Sequence, residues 1–402
     1  RGNQAMTRYE FAAGLNSCLD RILEIVGAGG VTAEDLEAIR QLQQQFQAEL
    51  AQLRGRVDAL EADVAELEAN QFSTTTKLRG QVDSHVVVPL DTLGGESSTT
   101  FVNRARLNFD TSFTGEDRLR IRLQAGNDTT NLGSSTGVAG FGLANSAGGG
   151  FDVEINDFFY TFPVGDRLDI IIGANSIVTD DFVTSTIVPF DGPSVLDAGG
   201  PALYDFGMGG SSGAGFSFAF TENIVLDAGY SVDSAPGGDS TVGIFAGAGQ
   251  SYIGQLSYIS DGLLDIAVAY LHGNADATPT GLTAGSVGGV DTDTYAGLLN
   301  LDFGGFMVGG YFAYHDNGTD DTTSYMGGVS VPNLFGLGNE LGVYGGIAPS
   351  YTNEPLFVEG YYAIGVNEFL TITPSVSYLD PDGDGGITDT GFFGAIRATF
   401  TF

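Results

Sequence analysis

From Thr74 to the C-terminus, short strand-like runs are separated by turn residues, and the connections between the runs alternate in length. Seven connections are tight, at 115–117, 165–166, 221–223, 261–262, 304–305, 337–339 and 367–368. Eight are longer and polar, at 89–100, 128–150, 177–201, 233–241, 274–290, 317–321, 350–354 and 380–389. Seven turns alternating with eight loops predict sixteen strands. Short turns at one end and long loops at the other are typical of a transmembrane β-barrel.

Composition excludes several other classes of protein. Glycine accounts for 61 of the 402 residues, alongside 28 Phe, 16 Tyr and no Trp. Collagen needs glycine at every third position and disordered chains have few aromatic residues, so neither description applies. No apolar run is long enough for a transmembrane helix, and the single cysteine allows no intrachain disulfide. The formal net charge of −35 disfavours nucleic acid as a partner, because phosphate binding needs clustered Lys and Arg.

The chain ends on an alternating run from Gly391 to Phe402 that finishes with an aromatic residue. We expect this run to be the last strand and to close the barrel against the first. A soluble β-sandwich could also end on a strand, but it would leave an apolar strand edge exposed. The sequence therefore favours a mainly β fold, with a sixteen-stranded antiparallel transmembrane barrel over residues 73–402.

A heptad seam precedes the strand-like region. Its a and d positions, in chain order, are Leu36, Ile39, Gln43, Phe46, Leu50, Leu53, Val57, Leu60, Val64 and Leu67. Opposite charges at flanking positions, such as Glu49 and Arg54, suit a parallel in-register neighbour. The seam predicts an α-helical coiled coil over residues 31–72 of either two or three strands. The alternative is a lone amphipathic helix packed on its own domain.

The first residues carry the signature of a helix start and of a known repeat. Thr7 and Glu10 have the spacing of a capping box. The segment Met6–Leu15 resembles the end of an S-layer homology repeat, whose Thr-Arg-Ala-Glu signature here reads Thr-Arg-Tyr-Glu. Together with the coiled coil and the Gly- and Phe-rich region, it makes the whole chain similar to cyanobacterial outer-membrane porins with an S-layer homology domain. Those porins are related to carbohydrate-selective porins and are also labelled iron-uptake porins.

The resemblance implies three parts: a C-terminal fragment of the S-layer homology domain at 1–30, a trimerisation helix at 31–72 and the barrel at 73–402. Thr7, Arg8 and Glu10 would then belong to a surface that binds peptidoglycan-linked polysaccharide, although a plain capping box accounts for Thr7 and Glu10 equally well. Phe402 would serve as the assembly signal. Porins of this size commonly trimerise, so we expect a homotrimer in outer-membrane lipid with its N-terminal region in the periplasm.

Basic residues in the barrel region are grouped in the first strands and the last. They alternate with apolar residues, and a period of two puts them on one face. Because a Lys or Arg facing lipid at the midplane costs roughly 2–4 kcal/mol, we expect them to line the pore. The predicted basic wall comprises Lys77, Arg79, Arg104, Arg106, Arg118, Arg120, Arg122 and Arg397. No Lys or Arg occurs between Arg167 and Arg397, so the opposite wall is neutral or acidic.

The third predicted loop, Ile177 to Pro201, is acidic and carries Asp180, Asp181, Asp191 and Asp197. In the sixteen-stranded general porins the third loop folds inward and faces an arginine cluster. This chain resembles that arrangement, which implies a constriction with a transverse electric field. The other interpretation is that the loop is a solvated lid whose charges serve solubility.

A third candidate site lies in the last loop. Asp380, Asp382 and Asp384, followed by Gly385, match the opening of a calcium-binding loop. Position twelve of that loop is Gly391 rather than a bidentate Glu, so we expect weak calcium binding or a plain solvated loop.

We expect no enzymatic activity, because the three histidines are far apart in sequence and no zinc, nucleophile or P-loop motif is present. The expected function is passive diffusion of small hydrophilic solutes or inorganic ions, with sugars, iron complexes and simple salts all open as permeants and no cofactor beyond weakly bound calcium. One alternative is a structural tether between outer membrane and peptidoglycan with a largely closed barrel. Another is a trimeric adhesin, which the full-length barrel disfavours.

Overall fold

The computed structural model describes residues 17–18, 20–22, 24–25, 37, 75–175, 177–232, 238–241, 243–245, 249–274 and 291–402. The chain divides into two units, Arg1–Gln71 and Phe72–Phe402. The described residues of the first unit are helical. Thr7, Arg8, Glu10 and every position of the predicted heptad seam lie outside the described residues. Within the part of the chain that is described, no helix has the length and apolar character needed to cross a membrane.

The second unit forms sixteen antiparallel strands in one closed barrel, as the turn pattern predicts. The strands are β1 Thr75–Pro89, β2 Thr100–Ser112, β3 Arg118–Gly126, β4 Glu154–Pro163, β5 Leu168–Asn175, β6 Ser212–Ala219, β7 Ile224–Val232, β8 Gln250–Tyr258, β9 Leu264–Gly273, β10 Thr292–Asp302, β11 Met307–Asp316, β12 Asp321–Pro332, β13 Glu340–Ile347, β14 Leu356–Asn367, β15 Leu370–Asp380 and β16 Gly391–Thr401. The described parts of the loops contain five short 3₁₀ turns: η1 Ser134–Thr136, η2 Thr179–Phe182, η3 Asp197–Gly199, η4 Ala202–Tyr204 and η5 Asp384–Gly386.

The last strand closes the barrel against the first, as the alternating C-terminal run predicts. β16 pairs with β1 from Gln81–Thr401 to Pro89–Phe393. Beyond that ladder, Gly80 and Phe402 exchange two main-chain hydrogen bonds, at N···O distances of 2.7 and 3.0 Å. Closure satisfies the backbone donors and acceptors that an edge strand would leave unpaired.

Along the strands, side chains alternate between an apolar outer face and the interior of the barrel, which is filled by side chains and loops. On the outer face, Tyr270, Tyr295 and Tyr314 lie opposite one another on three neighbouring strands near the long-loop rim. All three are exposed, at 42%, 54% and 38% of their surface. Phe303 and Phe306 are exposed at the short-turn rim. Aromatic residues at both rims of an apolar outer face are the pattern of membrane barrels.

Loops from the long-loop rim fold into the barrel and pack there. We number them in chain order; loop 2 covers residues 127–153 and loop 3 residues 177–211. The two loops pair main chain to main chain: Ala144 donates to the Val195 carbonyl at 2.9 Å, and Ala198 donates to that of Gly140 at 2.8 Å. Leu143 and Leu196 form an antiparallel bridge between them, and both side chains are buried. The interior of the barrel therefore contains a small apolar core made by loops.

Loop 3 is ten residues longer than the sequence predicts, because β6 begins at Ser212 and not directly after Pro201. The extra segment is apolar and includes Leu203, Phe206 and Met208, which led us to expect a strand. In the structure these side chains are buried inside the barrel, where η4 and the following residues pack against the inner wall. The inner wall supplies the apolar environment that such a segment needs.

Glycines permit close contact between neighbouring strands, which gives a test of the barrel packing. A Cβ at Gly346 in β13 would overlap the carbonyl oxygen of Tyr325, whereas a Cβ at Gly254 in β8 would meet nothing within 4 Å. We expect Gly346→Ala to destabilise the barrel by about 1–3 kcal/mol, the usual cost of overpacking, and Gly254→Ala to cost much less. Thermal loss of β-sheet circular dichroism in detergent measures both, and equal stability of the two variants would contradict this packing.

Candidate functional site in the barrel lumen

The predicted basic residues lie on four strands that are consecutive around the barrel, β16, β1, β2 and β3. Register places them in successive rows across these strands. Asp110 is opposite Lys77 on one side and Arg120 on the other, and Asn108 is opposite Arg79 and Arg122 in the same way. Their apolar neighbours in sequence, such as Leu78 and Leu107, are exposed on the outer face. The structure thus gathers the eight residues on one inner wall.

Three of the seven arginines in this wall are closely paired with carboxylates. Arg104 Nη2 lies 2.7 Å from Asp83 Oδ2, and both side chains are almost fully buried, at 2% and 0% exposure. Arg120 pairs with Asp110 at 2.8 Å, and Arg122 Nη1 pairs with Asp157 at 2.7 Å. Sequence analysis missed these three carboxylates. Asp83 and Asp110 could have been found, because each shares the inward parity of the basic residues on its own strand.

The other basic residues have weaker partners. Arg106 Nε donates to Gln124 Oε1 at 2.5 Å. The Arg118 guanidinium lies 5.3 Å from the centre of the Phe159 ring, a cation–π distance. Arg79 is 3.9 Å from Asp110, with 65% of its side chain exposed. These positive charges are therefore less compensated than those of Arg104, Arg120 and Arg122.

Arg397 binds the tip of loop 3. Its Nη1 donates to the Ser194 carbonyl at 2.6 Å, and its Nη2 donates to the carbonyls of Gly192 and Pro193 at 3.1 and 3.0 Å. The side chain is 4% exposed. We predicted Arg397 as a member of the basic wall; the structure shows it on that wall but engaged with the main chain of the loop.

Glu359 in β14 holds the same loop tip from a second strand. Its carboxylate accepts from the main-chain N–H groups of Val195 at 3.1 Å and Leu196 at 3.2 Å. It also accepts from Ser194 Oγ at 2.5 Å and Tyr344 Oη at 2.6 Å, and it is fully buried. We call Glu359, Arg397, Tyr344 and Ser194 the loop clasp. Sequence analysis missed Glu359, although it is the only carboxylate in its strand and has the inward parity of buried Phe357 and Tyr361.

The other side of loop 3 is anchored to β6, β7 and β8. The Phe182 ring of η2 lies on Gly215 and Gly229, where an added Cβ at either position would overlap the ring. Thr184 donates from N and Oγ1 to Asp227, at 2.9 and 2.8 Å. Tyr204 Oη donates to Gln255 at 2.6 Å. Loop 3 therefore spans the lumen, with contacts on β6–β8 at one side and on β13, β14 and β16 at the other.

Two cavities lined in part by charged residues border loop 3. The first, which we call the arginine cleft, measures about 280 Å³ and has Arg118, Arg120 and Arg122 on one side and Asp181 and Thr184 of loop 3 on the other. Asp157 and Asp169 also line this cleft. The structure therefore brings a predicted loop aspartate to face three predicted wall arginines.

The second cavity, which we call the acidic cavity, is about 100 Å³ in volume. It is lined by Asp180, Asp191, Asp197 and Asp205, with Gly140 of loop 2. Asp205 was not predicted, because the predicted loop ended at Pro201. Among the described residues, no ion pair links Asp180, Asp191 or Asp197 to a basic side chain. Adjacent residues of η2 thus face different cavities, Asp180 the acidic cavity and Asp181 the arginine cleft.

Enclosure within the barrel changes the acidity of the loop carboxyl groups. Desolvation raises the pKa of Asp180 to about 6, with a further contribution from Asp191. Desolvation, followed by repulsion from Asp180, raises the pKa of Asp181 to about 7. The pKa of Asp197 is raised to about 7 by desolvation and by its neighbours Asp191 and Asp180. These groups consequently change charge near neutral pH.

A pH titration of ion selectivity tests these shifts. A carboxyl group with a raised pKa loses its negative charge as pH falls through that value, so the loop becomes less negative between pH 8 and pH 5. Facing charges are Asp157 and Arg122 for Asp181, and Asp191 for Asp180 and Asp197. We expect the zero-current potential under a KCl gradient to shift toward anion passage with a midpoint near pH 6–7. An Asp181→Asn, Asp197→Asn variant should lose most of this shift, and a midpoint near pH 4 would contradict it.

The predicted calcium residues lie in loop 8, residues 381–390, and at the adjoining end of β15. Asp384 is buried and accepts from Thr352 and Asn353, while Asp382 Oδ2 accepts from the Glu354 N–H at 3.1 Å. Asp380 accepts from the N–H of Asp382. The described residues contain no group of three or more His, Cys, Asp or Glu side chains arranged to hold a metal ion. Calcium binding by Asp380, Asp382 and Asp384 stays a prediction.

The loop clasp is testable because a matched carboxylate lies on the next strand. Glu359→Gln keeps the size of the side chain but removes charge-assisted hydrogen bonds, worth about 2 kcal/mol. We expect roughly 30-fold more of the unclasped loop, seen as added current noise and larger openings in single-channel recordings. The control Glu340→Gln removes a carboxylate that bonds Ser330 and Tyr361 but not loop 3. Indistinguishable recordings from the two variants would contradict the role of the clasp.

A closed antiparallel barrel of sixteen strands with an inward-folded third loop and charged side chains at the constriction defines the porin class. The family model described as carbohydrate-selective porin, OprB family, matches residues 33–288, and the chain belongs to that family. It is an outer-membrane porin.

Sequence relatives and solved structures resemble this chain over most of its length. The chain is 35% identical to an uncharacterized protein of Nostoc sp. strain PCC 7120, over 100% of this chain and 79% of the relative. It is 32% identical to an uncharacterized protein of Synechocystis sp. strain PCC 6803, over 99% and 82%. The fold is similar to that of Pseudomonas putida OprB, with a TM-score of 0.59 and 12% identity over 84% of this chain and 96% of that one. An anion-selective porin from Comamonas acidovorans has a TM-score of 0.57 and 13% identity, over 82% and 100%.

Proposed function

We propose that this porin allows small hydrophilic solutes and inorganic ions to diffuse passively across the outer membrane, and that the space beside loop 3 decides what passes. The observation that carries the proposal is the position of loop 3, which is anchored on both sides of the lumen and borders two cavities lined by charged residues. A narrow, water-filled passage with fixed charges sorts solutes by size and sign. Sugars and simple salts both belong to the proposed range.

The proposed orientation follows from the two rims. Short turns of outer-membrane barrels face the periplasm and long loops face outside. With an even strand number, both chain ends of the barrel lie at the short-turn rim. We place the N-terminal unit in the periplasm, with residues 31–72 as a trimeric coiled coil and with Thr7, Arg8 and Glu10 directed at peptidoglycan-linked polysaccharide. The heptad seam and the resemblance to S-layer homology porins support this placement.

Reconstitution tests the pore directly. Proteoliposomes of the full chain should swell in neutral sugars of increasing size until a cut-off is reached, and planar bilayers should show salt conductance. Arg106→Ala and Arg120→Ala should alter conductance or selectivity, because Arg106 lies on the basic wall and Arg120 lines the arginine cleft. Leu337→Ala is a suitable control, since this side chain is 92% exposed in a short turn. Unchanged behaviour of both arginine variants would contradict the assigned wall.

The second candidate function is a structural tether with a largely closed barrel. One observation favours it: Phe190, Leu196 and Leu203 of loop 3 are fully buried inside the lumen, so part of the cross-section is filled with packed apolar side chains. A tether predicts no sugar flux and no salt conductance from correctly folded protein. Either signal in the reconstituted protein would exclude it.

A further inference from the structure

Positive and negative side chains in the lumen do not cancel everywhere, and the uncompensated charges are mostly negative. Three arginines of the inner wall are compensated by adjacent carboxylates. Arg104, Arg120 and Arg122 each have a carboxylate partner within 2.7–2.8 Å. Such pairs present little net field to a passing ion, because the two charges are close compared with the width of the passage.

Arg397 is also removed from the passage. It is 4% exposed and donates to three carbonyl oxygens of loop 3, beside the buried carboxylate of Glu359. The positive charges without a close carboxylate are Arg106 and Arg118, with Lys77 toward the short-turn rim, and the exposed Arg79 has only a 3.9 Å contact with Asp110. These four are the available anion-attracting groups of the basic wall.

Carboxylates without a basic partner are more numerous, and four of them lie in loop 3. Asp180, Asp181, Asp191 and Asp197 of loop 3 form no ion pair within the described part of the chain. Asp227, on the wall beneath the loop, accepts hydrogen bonds from Thr184 and has no ion pair within the described residues. No Lys or Arg exists between Arg167 and Arg397, so strands β5 to β15 cannot supply a compensating charge.

We infer that the pore favours small cations over anions of the same size. This inference rests on the proposed function, because it names the class of ion that an open pore passes most readily. The acidic residues need not bind an ion: a net negative field in a passage with low-dielectric walls raises the local concentration of cations and lowers that of anions. The paired arginines of the wall add little to this field, because each lies within 2.8 Å of a carboxylate.

The experiment is the zero-current potential of the wild-type protein in planar bilayers under a KCl gradient at pH 8, above the raised pKa values of Asp180, Asp181 and Asp197. We expect a potential of the sign for K⁺ passage. Asp191→Asn, Asp197→Asn should reduce the ratio of K⁺ to Cl⁻ permeability by roughly twofold for each charge removed, as Coulomb's law gives in a water-filled lumen. Arg106→Gln should change the ratio in the opposite direction.

Asp261→Asn is the matched control, because it is also a carboxylate-to-amide change but lies in the exposed turn between β8 and β9. It should leave the permeability ratio unchanged. A wild-type potential of the sign for Cl⁻ passage would overturn the inference, as would an equal response to the loop and turn variants. Absence of any conductance would instead count against the proposed pore, so the two failures are distinguishable.

Discussion

The interior of this barrel depends on the loop clasp, in which two buried charged side chains hold one loop tip by its main chain. Glu359 accepts the N–H groups of Val195 and Leu196, and Arg397 donates to carbonyls one to three residues earlier. Burying a charge costs several kcal/mol unless hydrogen bonds replace water. Here the peptide groups of the loop make those bonds, so the charges are stable only while the loop is in place. The inward position of loop 3 and the burial of Glu359 and Arg397 therefore depend on each other.

Anchoring at both sides gives the polar residues of loop 3 fixed positions. The Phe182 ring lies over two glycines, Thr184 binds Asp227, and Ser194 donates to Glu359. Asp180 and Asp181, next to each other in η2, therefore face separate cavities. A loop free in solvent would hold neither carboxyl group in one place, and neither group would be desolvated enough to have a raised pKa. The fold therefore holds the carboxyl groups of loop 3 at fixed positions in the lumen, where they produce a fixed electric field.

The sequence predicted the strands of the barrel well, because strands and turns are specified by residues that are neighbours in the chain. Turn residues and the length of each connection indicated all sixteen strands, and the alternation of Arg104 and Arg106 with apolar neighbours indicated the inward face. The predicted end of loop 3 was wrong because Leu203, Phe206 and Met208 are apolar, as the residues of a strand would be. A loop segment with these side chains is favourable only because the enclosed lumen buries them. Glu359 was missed because its partner Ser194 lies 165 residues away.

By itself, the sequence determined the mainly β class, the number of strands, the closure of β16 on β1 and the concentration of basic residues on one wall. These properties follow from a two-residue period and from turn chemistry, which act between neighbours in the chain. Tertiary structure decided which charges cancel and which stay available. Arg104 is paired with Asp83 and Arg397 is buried against the carbonyls of loop 3, whereas Asp191 and Asp197 have no basic partner among the described residues. Ion pairing depends on a few ångströms of separation across the lumen, and only the folded barrel sets those distances.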